Sequence, residues 1–408
     1  PIDNFVDLNG NNNITYTGLT FNGTDVINND PVTTITTTSS SDITVSDNTF
    51  ENFNGPVISA GTDIAGDINN NTIDNPAQDS NTYISVTNTA DDLNITSNTL
   101  VNASGGTQIL VNDMGAHALD VSSNTIEDVS TGTAIRVDAT DADAEVSLSS
   151  NTIESSGQSG TGIHVENGNE NAAIDIDSGS INATDVGIDA TNTGLGEFLN
   201  ITDVELTNIG TTGIDVAQTT TLTVDGVTIN SSSNAEGINL GDASLDADIS
   251  GATINDTNRG IHVNDANLAV VSDTTVDHTS GTQAIYVDQP SADAEVYVNE
   301  STSIDQSSSE GIEINLGDAV DGRSVDIDGV TINGSSGSGV KITDLNDAGS
   351  NPVVESNVNI TSSTFTNNDN GLEVAGATTP DSNVTAHFNT FESNTDGIEV
   401  ADLSTGGE

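Results

Sequence analysis

The feature that most constrains this chain is a short unit written over and over. Ala118-Leu119-Asp120-Val121-Ser122-Ser123-Asn124-Thr125-Ile126 is followed by Ala134-Ile135-Arg136-Val137-Asp138. The pattern restarts at Val146-Ser147-Leu148-Ser149-Ser150-Asn151-Thr152-Ile153 and closes on Gly162-Ile163-His164-Val165-Glu166. Aligning copies on the apolar residue that ends the Asn-Thr-Ile motif gives the column Phe50, Ile73, Leu100, Ile126, Ile153, Ile181, Leu206, Ile229, Ile254, Val276, Ile304, Ile332, Phe365 and Phe391. The mean spacing is about 26 residues, a period that signals a solenoid. A second column keeps the same spacing, through Ile109/Val111, Ile135/Val137, Ile163/Val165, Ile214/Val216, Ile238/Leu240, Ile261/Val263, Ile285/Val287 and Ile312/Ile314 to Ile398/Val400.

Within each unit the period is two. Apolar residues alternate with polar ones, most are β-branched, and Gly, Asn, Asp and Ser bound each run, which is the pattern of short strands. No helix-length amphipathic stretch interrupts them. Strands this short cannot bury a face alone, but stacked copies can, at about 4.8 Å per coil. The chain is therefore expected to be all-β: one parallel β-helix of about 15 coils, forming a rod about 70 Å long at that spacing. Residues 1–20 are expected as an N-terminal arm or cap strand, 21–402 as the β-helix and 403–408 as a tail. An insertion is expected around Asp344–Pro352.

The coil pattern and an asparagine column (Asn48, Asn71, Asn98, Asn124 and Asn151) resemble the right-handed parallel β-helix superfamily, the pectate-lyase-like fold, over nearly the whole chain. The asparagine column lapses at Gly179, Val204, Val227 and Ala252 and returns at Asn389. The resemblance implies the fold rather than an activity, since one fold carries many functions.

Composition narrows the partners. The chain has 63 Asp and Glu against four Lys and Arg, a net charge of −59. No basic patch exists to neutralise phosphates, so nucleic acid is excluded as a natural partner, and an anionic membrane surface with it. No apolar run is long enough to span a bilayer, so membrane insertion is not expected. The acidity fits three readings: adaptation to high salt, Ca²⁺ held in carboxylate columns, or a Lys-poor background. Cysteine is absent, so there are no disulfides. The start at Pro1 without Met is read as the loss of a signal segment or a longer N-terminal region. Sequons begin at Asn22, Asn94, Asn182, Asn200, Asn359 and Asn383 and make glycosylation candidates of a secreted or surface protein.

The middle residue of each Ile-x-Val strand is expected to face outward. These residues form a column of Arg136, His164, Asp189, Asp215, Asn239, His262, Tyr286, Glu313, Lys341, Glu373 and Glu399. In it Asp189 and Asp215 would stand as the carboxylate pair of a retaining glycoside hydrolase. Against an enzyme stand aromatics at 3%, no Trp, scattered Arg and Lys, and a surface that repels polyanions. Acidic residues after the second strand, Asp138, Glu166, Asp242, Asp265, Asp288, Asp318 and Asp344, are candidate Ca²⁺ ligands. No zinc spacing, P-loop or dinucleotide fingerprint is present. A β-helix exposes unpaired edges at its ends, and no capping helix is evident in the sequence. The leading expectation is thus a secreted structural or adhesive protein that associates with itself end to end into a filament, without enzymatic activity. The alternative is a saccharide-cleaving enzyme or a glycan-binding spike built on Asp189 and Asp215.

Overall fold

In a computed structural model, residues 4–7, 14–22, 33–37, 42–53, 56–61, 64–74, 82–102, 105–114, 117–139, 144–167, 172–192, 198–217, 221–231, 234–241, 244–277, 279–288, 294–316, 322–343, 356–375 and 383–401 are described. The tail expected at 403–408 and the insertion around Asp344–Pro352 lie outside them. Every described element is a strand. Among the described residues, no helix is long and apolar enough to cross a membrane. The chain divides into two compact units, Pro1–Gly210 and Thr211–Glu408.

In the first unit each coil contributes three strands, all paired in parallel with the coils on either side. The coil that opens at Ala118–Ser122 continues through Thr125–Ile126 to Thr133–Ala139. Leu119 lies opposite Leu93 and Val146, Ile126 opposite Leu100 and Ile153, and Ile135 opposite Ile109 and Ile163. Equal side chains thus stack coil on coil, and alternation sends every second residue inward. Ile73, Leu100, Ile126, Ile153, Ile181 and Leu206 are all fully buried. Each such burial is worth about 1.5–3 kcal/mol, which is what holds strands as short as the two residues of Thr125–Ile126 in place. Within the segment expected as an arm, Asn4–Asp7 pairs in parallel with Thr33–Thr37, placing Val6 opposite Ile35.

One corner is made by a single residue in the left-handed region. In the first unit this is Asp47, Asn70, Ser97, Ser123, Ser150, Ser178 and Asp203, with φ between 51° and 57°. Asp, Asn and Ser tolerate this conformation better than bulkier residues. The residue after the corner turns inward, and there the asparagine column becomes a ladder. Asn98 donates its backbone N–H to Asn124 Oδ1 at 3.0 Å, and its side-chain Nδ2 to Ile68 O at 2.8 Å. Asn48, Asn71, Asn98, Asn124 and Asn151 are all buried, and the ladder satisfies amides that would otherwise be orphaned away from water.

The second unit repeats the architecture with different fillers. Gly226, Gly251 and Gly329 take the left-handed corner, and Val227, Ala252 and Val330 follow it inward. Ile229, Ile254, Val276, Ile304, Ile332 and Phe365 continue the buried column. A further ladder, which the sequence did not signal, runs from Ser335 N to Asn368 Oδ1 and from Asn368 N to Asn394 Oδ1, each at 2.9 Å. Glycines precede several of the Ile-x-Val strands because the backbones close in there. A Cβ on Gly237 would stand 2.3 Å from Gly260 O and 2.8 Å from Ile254 Cγ2. Stacked aromatic rings extend the core column in each unit, Phe21 on Phe50 at 5.0 Å and Phe365 on Phe391 at 5.1 Å.

Candidate interaction face

The outward side of the Ile-x-Val strands carries the chemistry. In the first unit Thr133–Ala139, Thr161–Asn167 and Val186–Asn192 set Arg136 opposite His164 and His164 opposite Asp189. The expected column is present here. His164 Nδ1 lies 2.9 Å from Asp189 Oδ2, and its Nε2 lies 3.6 Å from Glu166 Oε2, which also accepts from Arg136. Asp189 Oδ1 accepts from Thr191, from Oγ1 at 2.7 Å and from the backbone N–H at 3.1 Å. The hydrogen bond to Asp189 raises the pKa of His164 above its ordinary value. Burial pushes the Asp189 carboxyl up, but the bonds from His164 and Thr191 outweigh it and leave it below the usual range.

In the second unit Asp215, Asn239, His262, Tyr286, Glu313, Lys341, Glu373 and Glu399 stand opposite one another coil by coil, as expected. A neighbouring column of Glu236, Arg259, Gln283 and Glu310 interlocks with it. Arg259 Nη1 donates to Glu236 Oε1 at 2.7 Å, and its Cζ lies 4.8 Å from the centre of the Tyr286 ring. His262 stacks on Tyr286 at 5.3 Å, and Gln283 donates to Glu313. His262 Nδ1, 3.8 Å from Glu236 Oε1, and the Arg259 guanidinium hold the Glu236 carboxyl below its ordinary pKa. Lys341 Nζ donates to Glu310 Oε1 at 3.1 Å. Burial alone would lower the Lys341 pKa, but Glu310 reverses the direction and raises it.

The chain has four Lys and Arg and five His, and five of these nine groups lie on these faces, each beside a carboxylate. Arg323 instead is buried, at 5% exposure, and burial lowers its pKa while Asp265 opposes the shift. Asp189 belongs to the first unit and Asp215 to the second. Asp189 spends both oxygens on His164 and Thr191, and Asp215 Oδ1 accepts from Asn239 Nδ2 at 2.8 Å.

The acidic column expected after these strands needs correction. Asp138 does lie opposite Glu166, but Asp138 also faces Asn112. Asp288 lies between Asn264 and Asn315, so Asp265 is one residue out of register, exposed and in the left-handed region. Coil length rather than residue spacing sets that register. Asp242, Asp318 and Asp344 lie outside the described residues. The described stretch is thus a mixed file of carboxylates and amides, with Asp138 and Glu166 as its adjacent acids and Glu166 tied to Arg136.

Five of the six sequon asparagines donate Nδ2 to an oxygen one coil away: Asn94 to Asp67, Asn200 to Asp175, Asn359 to Asp326 and Asn383 to Asn357 in the preceding coil, and Asn22 to Glu51 in the following one. Asn182 Oδ1 accepts from Thr207 and Asn208. The sequence reading passed over Glu236, Gln283 and Glu310, whose only signal was their place three residues before the outward column.

A family model described as a right-handed β-helix region matches residues 186–347. No curated protein matches the chain.

Proposed function

The chain is a member of the parallel β-helix superfamily, and from that premise we propose that it is an extracellular structural or adhesive protein that associates with itself through its coil edges. The observation that carries this reading is the stitching of the outward faces. Asp67 receives Asn94, Asp175 receives Asn200, Asp215 receives Asn239 and Asp326 receives Asn359, all at 2.6–2.8 Å. Side chains committed to one another from coil to coil suit a scaffold. A hydrolytic or saccharide-binding centre on Asp189 and Asp215 would first have to break such bonds.

Association through an edge has a physical basis. Asp396–Ala401 pairs with Asn370–Ala375, and Ile398 and Val400 are each 54% exposed. Phe388 is 91% exposed. Exposed apolar residues on a strand edge template pairing with another chain. A heterologous contact that does not close yields a filament.

Electron microscopy and light scattering of the full chain test this. Filaments or large assemblies are expected for the natural sequence, and single particles for the Ile398→Lys/Val400→Lys variant. Single particles for both would overturn the proposal, and cleavage of a screened polysaccharide that is lost in Asp189→Asn or Asp215→Asn would replace it with the enzyme.

A further inference from the structure

One cluster lies apart from the outward faces just described. Strand Ile84–Thr96 pairs with Ile64–Asn69, and their register shifts between Thr89 and Leu93. The shifted stretch carries Asp91 and Asp92, both exposed, and β-bulges of this kind re-aim side chains. In the next coil His117 stands immediately before Ala118–Ser122 and is half-buried. One ligand atom from each of Asp91, Asp92 and His117 lies within 4.8 Å of the other two. The two carboxylates are oriented by the backbone: Asp91 Oδ1 accepts from Asp92 N at 3.0 Å, and Asp92 Oδ1 accepts from Ala118 N at 3.1 Å.

A second observation points the same way. Asp92 lines an open groove of about 500 Å³ together with Asn94, Asp120, Glu145, Ser147 and Asp175. Asp120 Oδ1, on the wall of that groove, is shielded from solvent and has no hydrogen-bond partner. A carboxylate oxygen withdrawn from water without a donor is costly unless a cation answers it. The groove therefore concentrates negative charge beside Asp92.

We propose that Asp91, Asp92 and His117 form a binding site for a divalent first-row transition metal ion, fed by the acidic groove beside it. Two carboxylates with one imidazole match the nitrogen and oxygen preferences of Zn²⁺, Co²⁺ or Mn²⁺. Ca²⁺ takes six to eight oxygens and does not favour imidazole. The site is distinct from the acidic column considered for Ca²⁺, and it does not depend on self-association.

The test is calorimetric titration of the full chain with ZnCl₂ in molar NaCl, which suppresses diffuse binding to the many other carboxylates. One saturable site is expected. His117→Gln and Asp92→Asn should each weaken it at least tenfold, whereas Asp248→Asn in the second unit should change it less than twofold. Asp92→Asn keeps an acceptor for Ala118 N, and circular dichroism checks that both variants are folded. Co²⁺ should give a visible absorption band that His117→Gln abolishes. Zinc affinity unchanged in His117→Gln, no saturable binding, or equal competition by Ca²⁺ would each overturn the proposal.

Discussion

Asn94 donates its side-chain N–H to Asp67 Oδ1, one coil below, at 2.8 Å, and Asp120 follows it one coil above. The column Thr44, Asp67, Asn94, Asp120, Ser147, Asp175, Asn200 therefore alternates a neutral residue with an acid along the first unit. At about 4.8 Å per coil two carboxylates in sequence would repel each other. The alternation lets this part of a chain of net charge −59 stack without that penalty. Asn94→Asp would place three acids in line. It is expected to lower stability by about 1–2 kcal/mol in dilute buffer. Half or more of that loss should return in molar salt, where the screening length falls to about 3 Å. Chemical denaturation at the two salt concentrations checks both figures.

The His164–Asp189 contact predicts a pH window. The His164 pKa is raised, so its contribution is fully present below its ordinary value of 6.5 and is lost as pH rises through the raised value. The Asp189 pKa is lowered, so its contribution is present above its ordinary value of 3.8 and is lost as pH falls through the lowered value. The pair should stabilise most between those two ordinary values. His164→Gln keeps size and polarity, and should flatten the fall in stability on the alkaline side while leaving the rest of the curve in place. Thermal melts of both proteins from pH 4 to 9 measure it; identical alkaline slopes would contradict the assignment.

What the sequence showed and what it concealed divide along physical lines. Apolar alternation exposed the strands, because a side chain that must reach the core repeats every second residue whatever the loops do. The asparagine column was legible too, because Asn48 to Asn151 each have to answer the same backbone amide. The outward column was legible in register, from Arg136 to Asp189 and from Asp215 to Glu399. Its diagonal partners were not. Arg259 meets Glu236 and Gln283 through side-chain reach across coils, which carries no period. The offset of Asp265 from Asp288 and the register shift before Asp92 arise from coil length, which fixed residue spacing does not reveal.

Close backbone approach makes Gly237 a sensitive position. A Cβ there would meet Gly260 O at 2.3 Å, a backbone atom that cannot swing aside, and the buried Ile254 side chain. Gly237→Val should cost about 1–3 kcal/mol through overpacking. Gly157→Val, where nothing lies within 4 Å of the added Cβ, serves as the control and should change stability by less than about 0.5 kcal/mol. Equal losses at the two positions would remove close packing as the reason for the glycines before the strands.

The asparagine ladder gives the sharpest contrast between two chemically identical substitutions. Asn124 accepts from Asn98 N and Asn98 Nδ2 and donates to Ile95 O, and both asparagines are buried. Asn124→Ala strands an amide N–H and a carbonyl away from water, which should cost about 2–4 kcal/mol. Asn48 holds the same place one end of the ladder away, where it accepts from Leu19 N and donates to Tyr16 O. Leu19 is 43% exposed, so water can replace the lost acceptor there. Asn48→Ala should therefore cost clearly less, about 1–2 kcal/mol. The difference between the two variants, read from denaturant midpoints at equal slope, measures what burial adds to one rung. A difference near zero would mean that the ladder holds the corner by shape rather than by hydrogen bonding.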